Sequence, residues 1–130
     1  MQSSRWILAA GGLLLATATV LGAFGAHALQ ARLPADRLQV YETAVRYQFY
    51  HALGVLAIGV AALTIDTPLL RWSAGLLIVG ICVFSGSLYA LCVGAPRALG
   101  IVTPLGGLAL IAGWVVFVAA VLGRRAWHGP

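Results

Sequence analysis

This 130-residue chain contains no lysine and only three acids, Asp36, Glu42 and Asp66. Charged residues make up 8% of it and mean hydropathy is +0.98, whereas a soluble domain carries about 25% charged residues. That shortage excludes a soluble globular domain and assigns the chain to a membrane. All eight cations are arginine, standing singly or in one pair at the ends of apolar runs, as flanking anchors do. There is no basic stripe, so the net charge of +5 does not signal nucleic acid, nor a polybasic lipid-headgroup cluster. Cysteine is scarce as well. Cys82 and Cys92 lie ten residues apart in one expected helix, so they cannot pair within it and read as buried free thiols. Nucleophile elbows, phosphate loops and paired catalytic acids are all missing, and Ser85-Gly86-Ser87 has no acid to position a base beside it. The sequence therefore predicts no catalytic residue and no enzyme.

What is present is long apolar runs. Uncharged stretches cover 6–31, 47–65, 72–96 and 98–123, each able to cross a hydrocarbon core of about 30 Å at about 20 residues. They predict an all-α membrane protein, a single domain over 1–130. Its four transmembrane helices fall at about 6–27, 48–65, 72–93 and 100–123. The apolar start is longer than a signal-peptide core, so the first span is expected to be retained. Leu33-Pro34-Ala35-Asp36 has the form of a helix start. From there apolar and polar residues interleave amphipathically, predicting an interfacial helix over about 36–47 before the second span. Short connections give an up-down-up-down bundle.

That topology sends the unusual residues to one membrane face. Residues 22–54 hold two of the three histidines, His27 and His51, three of the four tyrosines, and the acids Asp36 and Glu42. Ser85, Ser87 and Tyr89 end span three, and Thr103 opens span four. Polar side chains inside a membrane turn to the bundle interior or a cavity. His27, Tyr47, Gln48, His51, Ser85, Ser87, Tyr89 and Thr103 are therefore the candidate pocket, or else a set of interhelical hydrogen bonds. Glu42 and Arg46, four residues apart with the acid first, are a candidate ion pair. Gly22, Gly25, Ala26, Gly86, Gly106 and Gly107 are candidate close-packing positions.

The stretches "GAFGAHAL", "TAVRYQFYHALGVLAIG", "FSGSLY" and "TPLGG" followed by "GW", in that order, closely resemble one small membrane-protein family. It is catalogued as domain of unknown function 423 and has a eukaryotic branch of similar four-helix proteins. The resemblance implies a four-span membrane protein and implies no reaction. Its pattern falls on Gly22, Phe24, Gly25, Ala26 and His27, on Tyr47, Gln48 and His51, on Ser85 through Tyr89, and on Thr103, Pro104, Gly106 and Gly107.

Against the residues themselves, His27 and His51 should approach across spans one and two, where two imidazoles could ligate haem iron or a metal. A zinc site needs three or four ligands. Glu42 lies about 180° round a helix from His51, so no metal site is predicted. No cofactor is expected; haem and quinone are alternatives. The leading expectation is a non-catalytic accessory or scaffold subunit in the cytoplasmic (inner) membrane of a bacterium. It would meet the lipid bilayer and either a membrane-protein partner or a copy of itself. The alternative is a small-molecule-handling protein, a transporter, channel, or quinone or haem binder, with a shallow pocket at the motif face. Near-span arginines lean towards both termini inside.

Overall fold

The computed structural model describes residues 2–123, with side chains from Ser4 onward. The fold is all helical. Helix α1 (Gln2–Phe24) runs directly into a π-helical segment, Gly25–Leu29. Helix α2 covers Ala35–Ala61, α3 Pro68–Cys92 and α4 Thr103–Leu122, with a short 3₁₀ turn at Arg97–Ile101 before α4. Arg124 and Arg125, the expected anchors after α4, lie outside the described residues. Among the described residues three stretches are long and apolar enough to cross a membrane: Ser4–Leu29, Pro68–Cys92 and Arg97–Leu122.

Local chemistry sets the boundaries. Pro34, in extended backbone, stands immediately before α2, and Asp36 falls in its first turn without capping it by a side-chain bond. Thr67 caps α3, its hydroxyl accepting from the Leu69 N–H, and Pro68 takes the first helical position. Gly94 ends α3 with φ +100, a left-handed turn that lets the Ala95 N–H reach back to the Ala90 carbonyl at 3.0 Å.

The separate interfacial helix expected over 36–47 is not a distinct element. One unbroken helix of 27 residues runs from Ala35 to Ala61, about 40 Å long at 1.5 Å per residue. No proline or glycine falls between Pro34 and Gly54 to interrupt it. Tyr41, Ala44, Gln48, Ala52 and Val55 keep one buried face along it. The expected second span, 48–65, is thus the inner part of a longer helix that ends four residues sooner.

Each helix packs on the next in the chain, α1 on α2, α2 on α3 and α3 on α4, while α1 and α3 only graze. The order is a row with α2 and α3 in the middle. Its two ends differ in chemistry. Around the terminal end, Ile7, Val55, Ile58, Leu70, Ala74, Leu77 and Ala120 form an apolar core. Trp6 and Trp72, both exposed, stand at that same end, as interfacial aromatics do. The polar chemistry gathers at the other end.

Candidate functional site

Helix α2 brings the polar residues together because it lies between α1 and α3. Gln48 is 5% exposed and joins three helices. Its Nε2 donates to the Leu14 carbonyl at 3.1 Å and to Thr17 Oγ1 at 2.9 Å on α1. Its Oε1 accepts from the Tyr89 hydroxyl of α3 at 2.8 Å. Thr17 passes the chain on, donating to the carbonyls of Leu13 and Leu14. One turn nearer the membrane face, Ser85 Oγ donates to the Ala44 carbonyl at 2.7 Å. Nearer still, the Cys92 thiol donates to the Arg37 carbonyl at 3.3 Å. Ser87 donates to the Phe84 carbonyl of its own helix and meets Thr103 Oγ1 of α4 at 2.7 Å. Among the described residues every buried side-chain nitrogen or oxygen has a partner.

The π segment has its own partner. A π turn is one residue wider than an α turn and recurs at functional positions. Here the Gln30 N–H bonds to the Gly25 carbonyl at 3.1 Å. One turn earlier the Tyr41 hydroxyl donates to the Leu21 carbonyl at 2.6 Å. Gly25 is what admits the Tyr41 ring: a Cβ there would stand 2.5 Å from Tyr41 Cε1. Tyr41 then leans on Tyr89, ring centroids 5.3 Å apart.

Tyr47 and His51 belong to a different cluster on the other side of α2. Tyr47 packs on Phe84 at 4.6 Å and stacks on His51 at 5.7 Å, and His51 faces Trp114 at 6.2 Å. The His51 Nδ1 lies 2.7 Å from the Tyr47 carbonyl. A carbonyl only accepts, so Nδ1 carries a proton and donates it.

The expected meeting of His27 with His51 is overturned. Because Gln48 pairs with Leu14 and Thr17, His51 stands level with the middle of α1. His27 lies ten residues beyond Thr17, about 15 Å along the axis, exposed on the π segment. No group of three or more metal-ligating side chains forms among the described residues. Of the two thiols expected to be buried, Cys92 is buried but Cys82 is exposed.

The candidate pocket is therefore divided. Gln48, Ser85 and Tyr89 are joined, Ser87 and Thr103 form a pair, Tyr47 and His51 lie in the aromatic cluster, and His27 stands apart. An open groove of about 350 Å³ lies elsewhere, between the π segment and the outer side of α2. Gly22, Gly25, Ala26 and Tyr41 line it, and Glu42 and Arg46 stand along it as exposed neighbours, without closing into an ion pair.

The small residues behave unequally. A Cβ on Gly106 would collide with the Phe84 backbone, and one on Gly22 would stand 3.3 Å from Val45. Gly107 has ordinary contact, Gly86 faces open space, and Ala26 is exposed. Sequence reasoning missed Gly11, Gly54, Gly59, Gly80 and Gly113, all of which admit a neighbouring helix or ring. The seven-residue spacing of Gly106 and Gly113, which repeats one helix face, was the available signal.

The family model described as protein of unknown function (DUF423) matches residues 21–107. That stretch runs from the carbonyl that Tyr41 holds to the start of α4. Two relatives are named UPF0382 membrane proteins, both 44% identical. One, from Staphylococcus epidermidis, is matched over 89% of this chain and 93% of its own length. The other, YwdK of Bacillus subtilis, is matched over 89% and 94%. The UPF0382 inner membrane protein YgdD of Escherichia coli is 33% identical over 93% of this chain and 92% of its own. No solved structure matches. With its long apolar helices and a family match over two thirds of its length, the chain belongs to the DUF423 family of bacterial membrane proteins.

Proposed function

We propose that this protein is a non-catalytic scaffold or accessory subunit of the bacterial inner membrane, working through association with another membrane protein or with its own copies. One observation carries this reading. The conspicuous polar residues spend their hydrogen bonds on one another, from Tyr89 through Gln48 to Thr17 and from Ser87 to Thr103. Such a network makes a rigid body with an apolar outside, and exposed Leu105, Leu108, Ile111 and Val115 on α4 offer that surface to lipid or to a partner helix. The groove beside Glu42 and Arg46 favours the second reading, a small-molecule-handling protein. No imidazole lines it, which weighs against haem.

In the same reading α2 is a fourth span. Its low hydropathy comes from Asp36, Arg37, Glu42 and Arg46, exposed on the half that would reach the headgroup level, and from Gln48, which is buried and satisfied. Both termini then lie on the cytoplasmic side. Cysteines placed at positions 36 and 66, in a Cys82→Ala/Cys92→Ala background, should react with an impermeant maleimide from opposite sides of the membrane. Reaction of both from one side would remove α2 from the bilayer.

The association itself is tested by native mass spectrometry of the protein, tagged at its own locus and extracted in mild detergent. A heteromer or homo-oligomer of fixed stoichiometry is expected. A monomer under every extraction condition would overturn the scaffold reading.

A further inference from the structure

We infer that the groove between the π segment and α2 is a binding site for a phospholipid with a phosphoethanolamine head. The inference rests on α2 crossing the membrane with its N-terminal part at the headgroup level.

The charges are placed for that head. Glu42 and Arg46 both line the groove, one turn apart, with Arg46 about 6 Å deeper along α2. A phosphoethanolamine head has the same order: phosphate next to the glycerol, and ammonium further out on a short ethylene link. Arg46 would meet the phosphate with its fork of donors, and Glu42 the ammonium, which offers three N–H groups. The two side chains are free to do so because they do not close on each other. An arginine on the lipid side of a span is costly without an anionic partner, and a bound phosphate supplies one.

Below the charges the groove turns apolar and aromatic. Val45 stands between the two charges against Gly22 of α1, and Phe49 and Tyr50 line the groove below Arg46. The rings of Phe49 and Tyr50, both exposed beside the groove, suit the upper part of an acyl chain. The volume, about 350 Å³, falls within the range of about 300–1,000 Å³ for small-molecule sites. Openness towards the bilayer allows the rest of the chain to stay in lipid. Selectivity follows from the acid. A choline head has no N–H to give Glu42, and a glycerol head has no cation. This is recognition of a zwitterion by one acid and one base, distinct from a polybasic attraction to anionic lipid.

The full chain, purified in micelles doped with equal amounts of phosphatidylethanolamine, phosphatidylglycerol and phosphatidylcholine, tests this by native mass spectrometry. Wild type should keep phosphatidylethanolamine about fivefold over the other two, the size of one exposed ion pair. Glu42→Gln should erase its lead over phosphatidylglycerol, and Arg46→Gln should lower both. The exchanged variant Glu42→Arg/Arg46→Glu keeps net charge and groove shape but reverses the order, and should lose the preference. Ala26→Trp, which fills the groove and leaves both charges in place, should lose it too. Equal retention of the three lipids by wild type would overturn the inference. So would an exchanged variant that still prefers phosphatidylethanolamine, or a dimer that dissociates in Arg46→Gln because a second copy fills the groove. Labelling of positions 36 and 66 from one side of the membrane would refute the placement of α2 separately, whatever the lipid ratios.

Discussion

Gly106→Ala is expected to destabilise the protein more than any other single added methyl group. A Cβ at position 106 falls on the Phe84 backbone nitrogen and 2.7 Å from its Cα. Backbone cannot rotate away as a side-chain tip can, so α3 and α4 must separate. Overpacking that forces backbone shifts costs about 1–3 kcal/mol and occasionally more, and the contact with main chain puts Gly106→Ala at about 3 kcal/mol or above. Two neighbours serve as controls. Gly107 has nothing nearer than 3.8 Å and Gly86 nothing within 4 Å. Alanine at either should be neutral or better, because glycine within a helix costs about 0.5–1 kcal/mol relative to alanine. Thermal unfolding in detergent micelles, read by circular dichroism, checks the set. A Gly106→Ala midpoint no lower than that of Gly107→Ala would mean that α3 and α4 do not meet at this distance.

The same seam shows how the effect grades with what lies opposite. A Cβ on Gly113 would meet Leu77 first through Cδ2 at 2.7 Å, and one on Gly80 would meet Leu110 Cδ2 at 2.6 Å. Both leucines can change rotamer. In a bilayer there is little hydrophobic force between helices, so their closeness depends on such small residues. The repeat of glycines along α3 and α4 is therefore part of the fold's energetics, not a feature of the polar end alone.

Much of the architecture was legible because the charges mark it out. The uncharged runs located α1, α3 and α4, and the order of the four motifs located the family. The course of α2 was harder to read. A membrane helix that must satisfy Tyr89 and Thr17 carries Gln48, and a helix that carries Gln48, Arg46 and His51 looks too polar to be one continuous element. The distance between His27 and His51 was not legible either. It depends on how far α2 slides along α1, and that offset is set by Gln48 finding Leu14 and Thr17 and by Tyr41 finding Leu21. Sequence spacing gives no such offset. The groove was hidden for a related reason: it borders the π segment, and only Gly25 against Tyr41 hints at one.

Gln48→Leu tests whether the polar end is a fastening or a pocket. Leucine fills a similar volume, so little packing is lost, and what disappears is hydrogen bonding. Three bonds vanish at once, to Leu14, Thr17 and Tyr89. Thr17 keeps its bonds to Leu13 and Leu14, and the Leu14 carbonyl retains its own helix, but the Tyr89 hydroxyl loses its acceptor. Interhelical bonds in membranes are worth about 0.6–2 kcal/mol each, and an orphaned buried hydroxyl costs about 1–3 kcal/mol. A total loss of about 2–4 kcal/mol is expected, read as a lowered unfolding midpoint in micelles. Tyr89→Phe supplies the decisive comparison. On its own it should cost about 1 kcal/mol. Added to Gln48→Leu it should cost nearly nothing or restore stability, because the orphaned hydroxyl is then gone. The coupling between the two, about 1 kcal/mol or more, would establish the bond across α2 and α3 as a structural one. Were Gln48 instead held for a ligand, Gln48→Leu would leave the midpoint unchanged in the ligand-free protein and the two substitutions would add independently.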